Sequence, residues 1–113
     1  MDTPTPGQPV RGSQTGRPIM ALLDLLGRRW SLRVLWELHQ SPANFRELQN
    51  RCAGLSPSVL NTRLGELRDA QLLENGERGY QLSRLGLELV EQFLPLTLWA
   101  DNWAAQLPPT SEI

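Results

Sequence analysis

Residues 44–73, NFRELQNRCAGLSPSVLNTRLGELRDAQLL, decide the fold, because they read as two helices set at an angle by a tight turn. Asn44 is an N-cap, and Glu47 three residues on completes a capping box that satisfies orphan N–H groups from both sides. Phe45, Leu48 and Cys52 then recur at helical spacing until Gly54, a residue free to take the left-handed position that ends a helix. Ser56 followed by Pro57 is a second start signal: a serine cap precedes a proline at the first helical position, where its missing N–H costs nothing. In this second helix Leu60, Leu64 and Leu67 form the inward stripe, flanked by Val59 and Arg63. Ser58, Asn61, Thr62 and Gly65 make an outward face of small polar groups, whereas a purely solvated helix carries long Glu and Lys side chains. Small hydrogen-bonding groups near a helix N-terminus suit a major groove, since Asn bonds adenine bidentately and Ser or Thr bonds bases or phosphates. The pattern predicts a helix-turn-helix, with Ser56, Ser58, Asn61 and Thr62 toward DNA and Arg63 and Arg68 at the edges of the helix. A short helical hairpin in any small α domain is the plain alternative.

The next residues favour the first reading. Leu72 to Glu74 and Tyr80 to Leu82 are short strands joined through Asn75-Gly76-Glu77-Arg78-Gly79, a glycine-flanked hairpin loop. A hairpin placed after the second helix is the wing of a winged helix, with Arg78 at its tip beside the DNA backbone or minor groove. An ordinary surface hairpin is the competing interpretation. Upstream, Ile19 to Leu26 forms an apolar helix ending at Gly27, and Trp30 to His39 forms a second that is central to the core. Arg28 and Arg29, between the two, are either phosphate contacts or solvated charge.

Arg84 to Leu107 is mostly helical, with too many apolar residues for one face. One stripe is Leu85, Leu89, Phe93, Leu96, Trp99, Trp103 and Leu107, and a second is Leu87, Val90, Leu94 and Leu98. One covers the core, so the other needs a partner, which implies a dimer. Pro95 should kink or divide this helix and point the Trp99 and Trp103 half away from the body. Leu87, Val90, Leu94, Leu98, Trp99 and Trp103 are therefore the candidate dimerisation residues.

Composition sets outer bounds. With 113 residues the chain is one domain. Met1 to Arg17, rich in Pro and Gly, is expected to be a disordered tail, residues 18–107 the folded unit, and residues 108–113 a short C-terminal tail. One Cys and one His allow neither a disulfide framework nor a cysteine-rich zinc site, so no metal and no cofactor are expected. A hydrolytic site has no nucleophile, base and orienting group to assemble around the single His39, and an enzyme is not expected. No apolar run approaches membrane-spanning length and no secretory signal pattern is present, so the expected location is the cytoplasm, with no membrane partner. Net charge is −1, but it is segregated: nine Arg against six acids give +3 between Arg28 and Arg84, while four acids and no base give −4 from Leu85 to Ile113. One part of the surface is thus suited to phosphate and another is not.

Several short runs, in order, resemble the HxlR-type winged helix-turn-helix transcription regulators. They are Leu25-Leu26-Gly27-Arg28-Arg29-Trp30-Ser31-Leu32, Asn44-Phe45-Arg46-Glu47-Leu48, Gly54-Leu55-Ser56, Leu60-Asn61-Thr62-Arg63-Leu64-Gly65-Glu66-Leu67 and Tyr80-Gln81-Leu82-Ser83-Arg84-Leu85-Gly86. The resemblance covers Ile19 to Leu107 and implies a mainly α fold with a small β-hairpin and a C-terminal dimerisation helix. It also implies a bacterial homodimer that binds double-stranded DNA, with the helix from Ser56 to Ala70 in the major groove. Some members sense aldehydes, quinones or oxidants, some of them through a cysteine near the N-terminus. Here the single cysteine is Cys52, on the inward stripe, either a core thiol or a redox sensor. Whether a small-molecule effector acts on this chain is left open, since no residue names one. Three features differ from the family pattern: the wing is short, Gly65 stands where a basic residue is common, and Gln71 replaces the usual glycine after the recognition helix. A winged-helix module that binds a partner protein through the Trp99 and Trp103 stretch, and no longer reads DNA, is the alternative function.

Overall fold

The computed structural model describes residues 3–10 and 16–109, which contain six α-helices and one antiparallel hairpin. In chain order these are α1 (Pro18–Leu26), α2 (Ser31–Gln40), α3 (Phe45–Arg51), α4 (Pro57–Asp69), β1 (Leu73–Gly76), β2 (Gly79–Leu82), α5 (Arg84–Phe93) and α6 (Pro95–Gln106). The helix boundaries follow the local chemistry. Asn44 Oδ1 accepts the Glu47 N–H at 2.8 Å while Glu47 Oε1 accepts the Asn44 N–H at 3.0 Å, which is the capping box in full. Ser56 Oγ accepts from the Val59 N–H at 3.2 Å with Pro57 behind it, and Ser83 Oγ accepts from the Gly86 N–H at 3.0 Å at the start of α5.

The core lies where α2, α3 and α4 meet. Val34, Leu35, Leu38, Leu48, Cys52, Leu60, Leu64 and Leu67 are buried there, and Leu55, Leu72 and Leu73 extend it toward the hairpin. The inward stripe of α4 is thus the one its spacing predicts. Each of its three leucines contributes about 1.5–3 kcal/mol through removal from water.

The hairpin is tighter than its glycine-flanked loop suggests. Leu73 pairs with Leu82 and Gly76 with Gly79, so Asn75 and Gly76 belong to β1 and only Glu77 and Arg78 form the turn. A third segment joins it: Ala43 and Tyr80 exchange backbone hydrogen bonds of 3.0 and 2.8 Å. Gly79 makes this junction possible, since its φ is +114° and a Cβ there would lie 2.5 Å from the Ala43 carbonyl oxygen.

At the other end of α4, Leu72 N–H donates to the Leu67 carbonyl at 2.9 Å and Gln71 N–H to that of Arg68 at 2.8 Å. This is a Schellman end with Gln71 in the left-handed position at φ 63°, where glycine has no steric cost. Ser83 Oγ donates to the Gln71 carbonyl at 2.6 Å and helps hold the strained residue.

Pro95 divides the C-terminal helix, and the division redistributes the two apolar stripes. In α5, Val90 is 2% exposed and packs in the core with Leu89 and Phe93 against it, whereas Leu85 and Leu87 face outward. The expected placement of Val90 on a dimer face is therefore corrected: it belongs to the chain's own core, because the helix turns the 86–90–93 side inward. α6 buries no residue.

Within residues 3–10 of the leader, where composition suggests disorder, Thr3 to Pro6 run beside α1 and the end of α4, with Thr3 Oγ1 donating to Asp69 at 3.3 Å. The remainder of that expected tail, residues 1, 2 and 11–15, and of the C-terminal tail, residues 110–113, lies outside the described residues. No helix among the described residues is long and apolar enough to cross a membrane.

Replacing Gln71 by Gly is expected to raise stability by ~1 kcal/mol, because the left-handed strain at this position is removed. Thermal unfolding should show a midpoint several degrees higher, and an unchanged midpoint would mean that the strain is fully relaxed by the surrounding hydrogen bonds.

Candidate nucleic-acid interface

The exposed side of α4 begins at its N-terminus. Ser58, Asn61 and Thr62 are all exposed, and Asn61 makes no side-chain hydrogen bond among the described residues. Its amide is free to present both a donor and an acceptor. Thr62 Oγ1 donates to the Ser58 carbonyl at 3.0 Å, leaving its lone pairs and methyl group outward. Ser56 Oγ is occupied as the cap of α4 and lies 3.4 Å from Ser58 Oγ, so Ser56 shapes the helix start more than it offers a free group. A Cβ at Gly65 would meet nothing within 4 Å, so the helix backbone itself is accessible there.

The expected arginines separate into two sets. Arg29, Arg68 and Arg78 are exposed and carry no ion pair among the described residues; Arg78 sits in the two-residue turn of the hairpin. Arg28 and Arg63 are engaged inside the protein. Arg28, 8% exposed, donates to Glu66 and also to Asp24 at 3.3 Å, which corrects its expected place at a phosphate. A guanidinium enclosed between two carboxylates is already neutralised and desolvated. Arg63 pairs with the other oxygen of Glu66 and donates through Nε to the Arg29 carbonyl at 2.8 Å. Its side chain, 18% exposed, reaches the edge of the surface.

Arg46 is a candidate that the pattern of the sequence left unremarked. It is exposed in the first turn of α3, without an ion pair among the described residues. A cation there opposes the helix dipole, and that local cost is the signal that could have singled it out as a group awaiting an anion.

Cys52 lies at the end of α3 with no exposed surface. Burial pushes its thiol pKa up, and Arg33 and Arg51 only partly oppose that shift, so the thiol form dominates at neutral pH. Among the described residues no group of His, Cys, Asp and Glu could hold a metal ion.

The face proposed for association is also exposed. Leu87, Leu94, Leu98, Trp99 and Trp103 all lie on the surface, and the rings of Trp99 and Trp103 stack at 5.8 Å. Ile19 and Leu23 on α1, and Leu32 and Trp36 on α2, add to the exposed apolar surface.

Residues 25–108 match the HxlR-like helix-turn-helix family. An uncharacterised helix-turn-helix-type transcriptional regulator of Methanocaldococcus jannaschii is 26% identical over 94 residues, covering 79% of this chain and 89% of that protein. Among solved structures, the quinone-bound YodB of B. subtilis superposes with a TM-score of 0.68 at 28% identity, over 74% of this chain and 96% of YodB. A possible HxlR family transcriptional factor of Thermoplasma volcanium, 23% identical, has the same fold with a TM-score of 0.67 over 79% of this chain and 86% of its own.

Cys52 is expected to resist a thiol reagent in the native protein and to react on unfolding; prompt native labelling would reopen the sensor role. The raised pKa also fixes a sign. The unfolded thiol ionises near its ordinary value of 9.0 while the folded one does not, so this group's stabilisation is complete below that pH and is lost as pH rises toward the folded pKa. Denaturant melts of wild type and Cys52→Ala between pH 8 and 10, pH values on the order of the ordinary thiol pKa, should show the steeper alkaline decline in wild type.

Proposed function

The chain belongs to the HxlR-like helix-turn-helix family, and from that premise we propose that it binds double-stranded DNA as a homodimer and regulates transcription from an inverted-repeat operator. The observation that carries this reading is the exposed, unpaired Asn61 beside Ser58 and Thr62 on a helix whose opposite side is fully anchored in the core. Small polar groups on the first turns of a helix read base edges in the major groove, and free guanidinium groups around it neutralise phosphate. In the proposed complex, Ser58, Asn61 and Thr62 face bases, Arg63 and Arg68 lie at the helix edges, and Arg29, Arg46 and Arg78 approach the backbone.

A second copy supplies what the single chain lacks. α6 exposes Leu98 at 65%, Trp99 at 59% and Trp103 at 53%, and it borders an apolar groove of about 380 Å³ lined by Leu32, Leu35, Trp36, Val90, Phe93 and Leu96. A helix with no buried residue gains most by pairing with a like surface, and a twofold partner is the commonest arrangement. Two recognition helices related by that axis read half-sites about one turn, ~34 Å, apart.

Fluorescence anisotropy against genomic promoter fragments at two salt concentrations tests the reading. Tight, salt-sensitive binding to a subset that contains an inverted repeat is expected. Weak binding that treats all fragments alike would sink it in favour of a protein-interaction module. Asn61→Ala should weaken operator binding by ~1–3 kcal/mol and relax discrimination at one position, whereas Arg78→Ala should weaken all sequences alike. Trp99→Asp is expected to give a monomer in sedimentation, and a persistent dimer would displace the interface from α6.

A further inference from the structure

Glu66 lies one turn beyond Thr62 on α4, on the flank that turns toward the α1–α2 junction, and it is 7% exposed. Its two oxygens are divided between two guanidinium groups: Arg28 takes Oε2 and Arg63 takes Oε1. Arg28 also reaches Asp24 on α1 at 3.3 Å, and Arg63 Nε donates to the Arg29 carbonyl at 2.8 Å. Among the described residues, Asp24, Arg28, Arg63 and Glu66 thus form a largely buried cluster that joins α1, the α1–α2 turn and α4.

We propose that Glu66 is a positioning residue for DNA recognition: it fixes the rotation of α4 about its own axis and ties that rotation to α1. The inference rests on the DNA-reading function proposed above. Leu60, Leu64 and Leu67 hold α4 against the core, but apolar contact is non-directional and leaves a helix able to roll on its seat. Directional hydrogen bonds from two planar guanidinium groups to one carboxylate do not. A buried ion cluster is a poor source of stability compared with an apolar cluster of the same volume, and its attested use is to set register. The α1–α2 turn is shaped for the same contact. Trp30 is held at φ 76°, a strained position for a bulky residue, and that dihedral sets the Arg29–Trp30 peptide plane whose carbonyl receives Arg63.

The test compares wild type, Glu66→Gln, Glu66→Asp and a distant variant, Leu89→Ala, at a position that packs against the core outside the α6 groove, at a temperature where circular dichroism shows each folded. Binding is measured to the selected operator and to random DNA of equal length, and hydrogen exchange is followed at the α4 amides. Glu66→Gln should lose roughly tenfold or more on the operator and little on random DNA, with faster exchange along α4. Leu89→Ala should keep the wild-type ratio of the two affinities. An unchanged ratio in folded Glu66→Gln, or an equal fall in Leu89→Ala, overturns the proposal. Should Glu66→Gln not fold, Glu66→Asp, which keeps the charge but shortens the reach, carries the same comparison and should lose discrimination. Wild-type protein that binds every DNA alike would defeat the function proposed above; α4 exchange then judges the clamp alone, and unchanged protection overturns it.

Discussion

A helix that presents one side to an external surface must be held by the other, and the whole arrangement depends on the burial of Leu60, Leu64 and Leu67. These side chains sit among Val34, Leu35, Leu38 and Leu48, so α2 and α3 are arranged around α4 as much as the reverse. Truncating any one of them to Ala would cost about 2–5 kcal/mol, a large fraction of what a domain of this size has in reserve. The hairpin is attached to the same core through Leu72 and Leu73, and α5 through Val90. Only α6 stands apart from it.

The apolar seat and the charged clamp divide the work. Leucine contacts supply the free energy that keeps α4 on the protein, while the Glu66 carboxylate with Arg28 and Arg63 supplies direction. Both are needed because burial alone specifies a face and not an angle within it. On the outer side, the same helix carries groups short enough for the backbone to approach a groove closely, and Gly65 adds to this access. In the proposed complex the cationic charge comes from around α4: Arg29 lies in the α1–α2 turn, Arg46 on α3 and Arg78 in the hairpin turn. The charge segregation along the chain is consistent with this division, for the acidic C-terminal portion includes α6, which carries no base.

Much of the fold was legible because its signals are local. The Asn44 and Glu47 capping box, the Ser56-Pro57 start and the Pro95 break are each encoded within four residues, and each takes effect where the pattern puts it. The Leu60, Leu64 and Leu67 spacing names the buried side of α4 for the same reason. Of the candidate interface, Ser58, Asn61, Thr62, Arg29, Arg68 and Arg78 are exposed as expected of surface groups. Arg28 was not legible: two adjacent arginines before a helix look alike in sequence, and only the approach of Glu66, 38 residues away, selects one for burial. Val90 was misplaced because two overlapping apolar stripes leave the inward one undetermined until α2 is in position. The Ala43–Tyr80 bridge likewise depends on a segment 37 residues distant.

The sequence by itself determined the element types, the capped starts of α3 and α4 and the helix-turn-helix with its hairpin, because capping, turn geometry and hydrophobic period act over one or two turns of chain. Tertiary structure alone decided which charges are spent internally, which apolar residues are left outside and how α4 is clamped. Those outcomes depend on which surfaces meet. A guanidinium has the same local chemistry beside water, a phosphate or a buried carboxylate, and only the packed chain says which of them it finds.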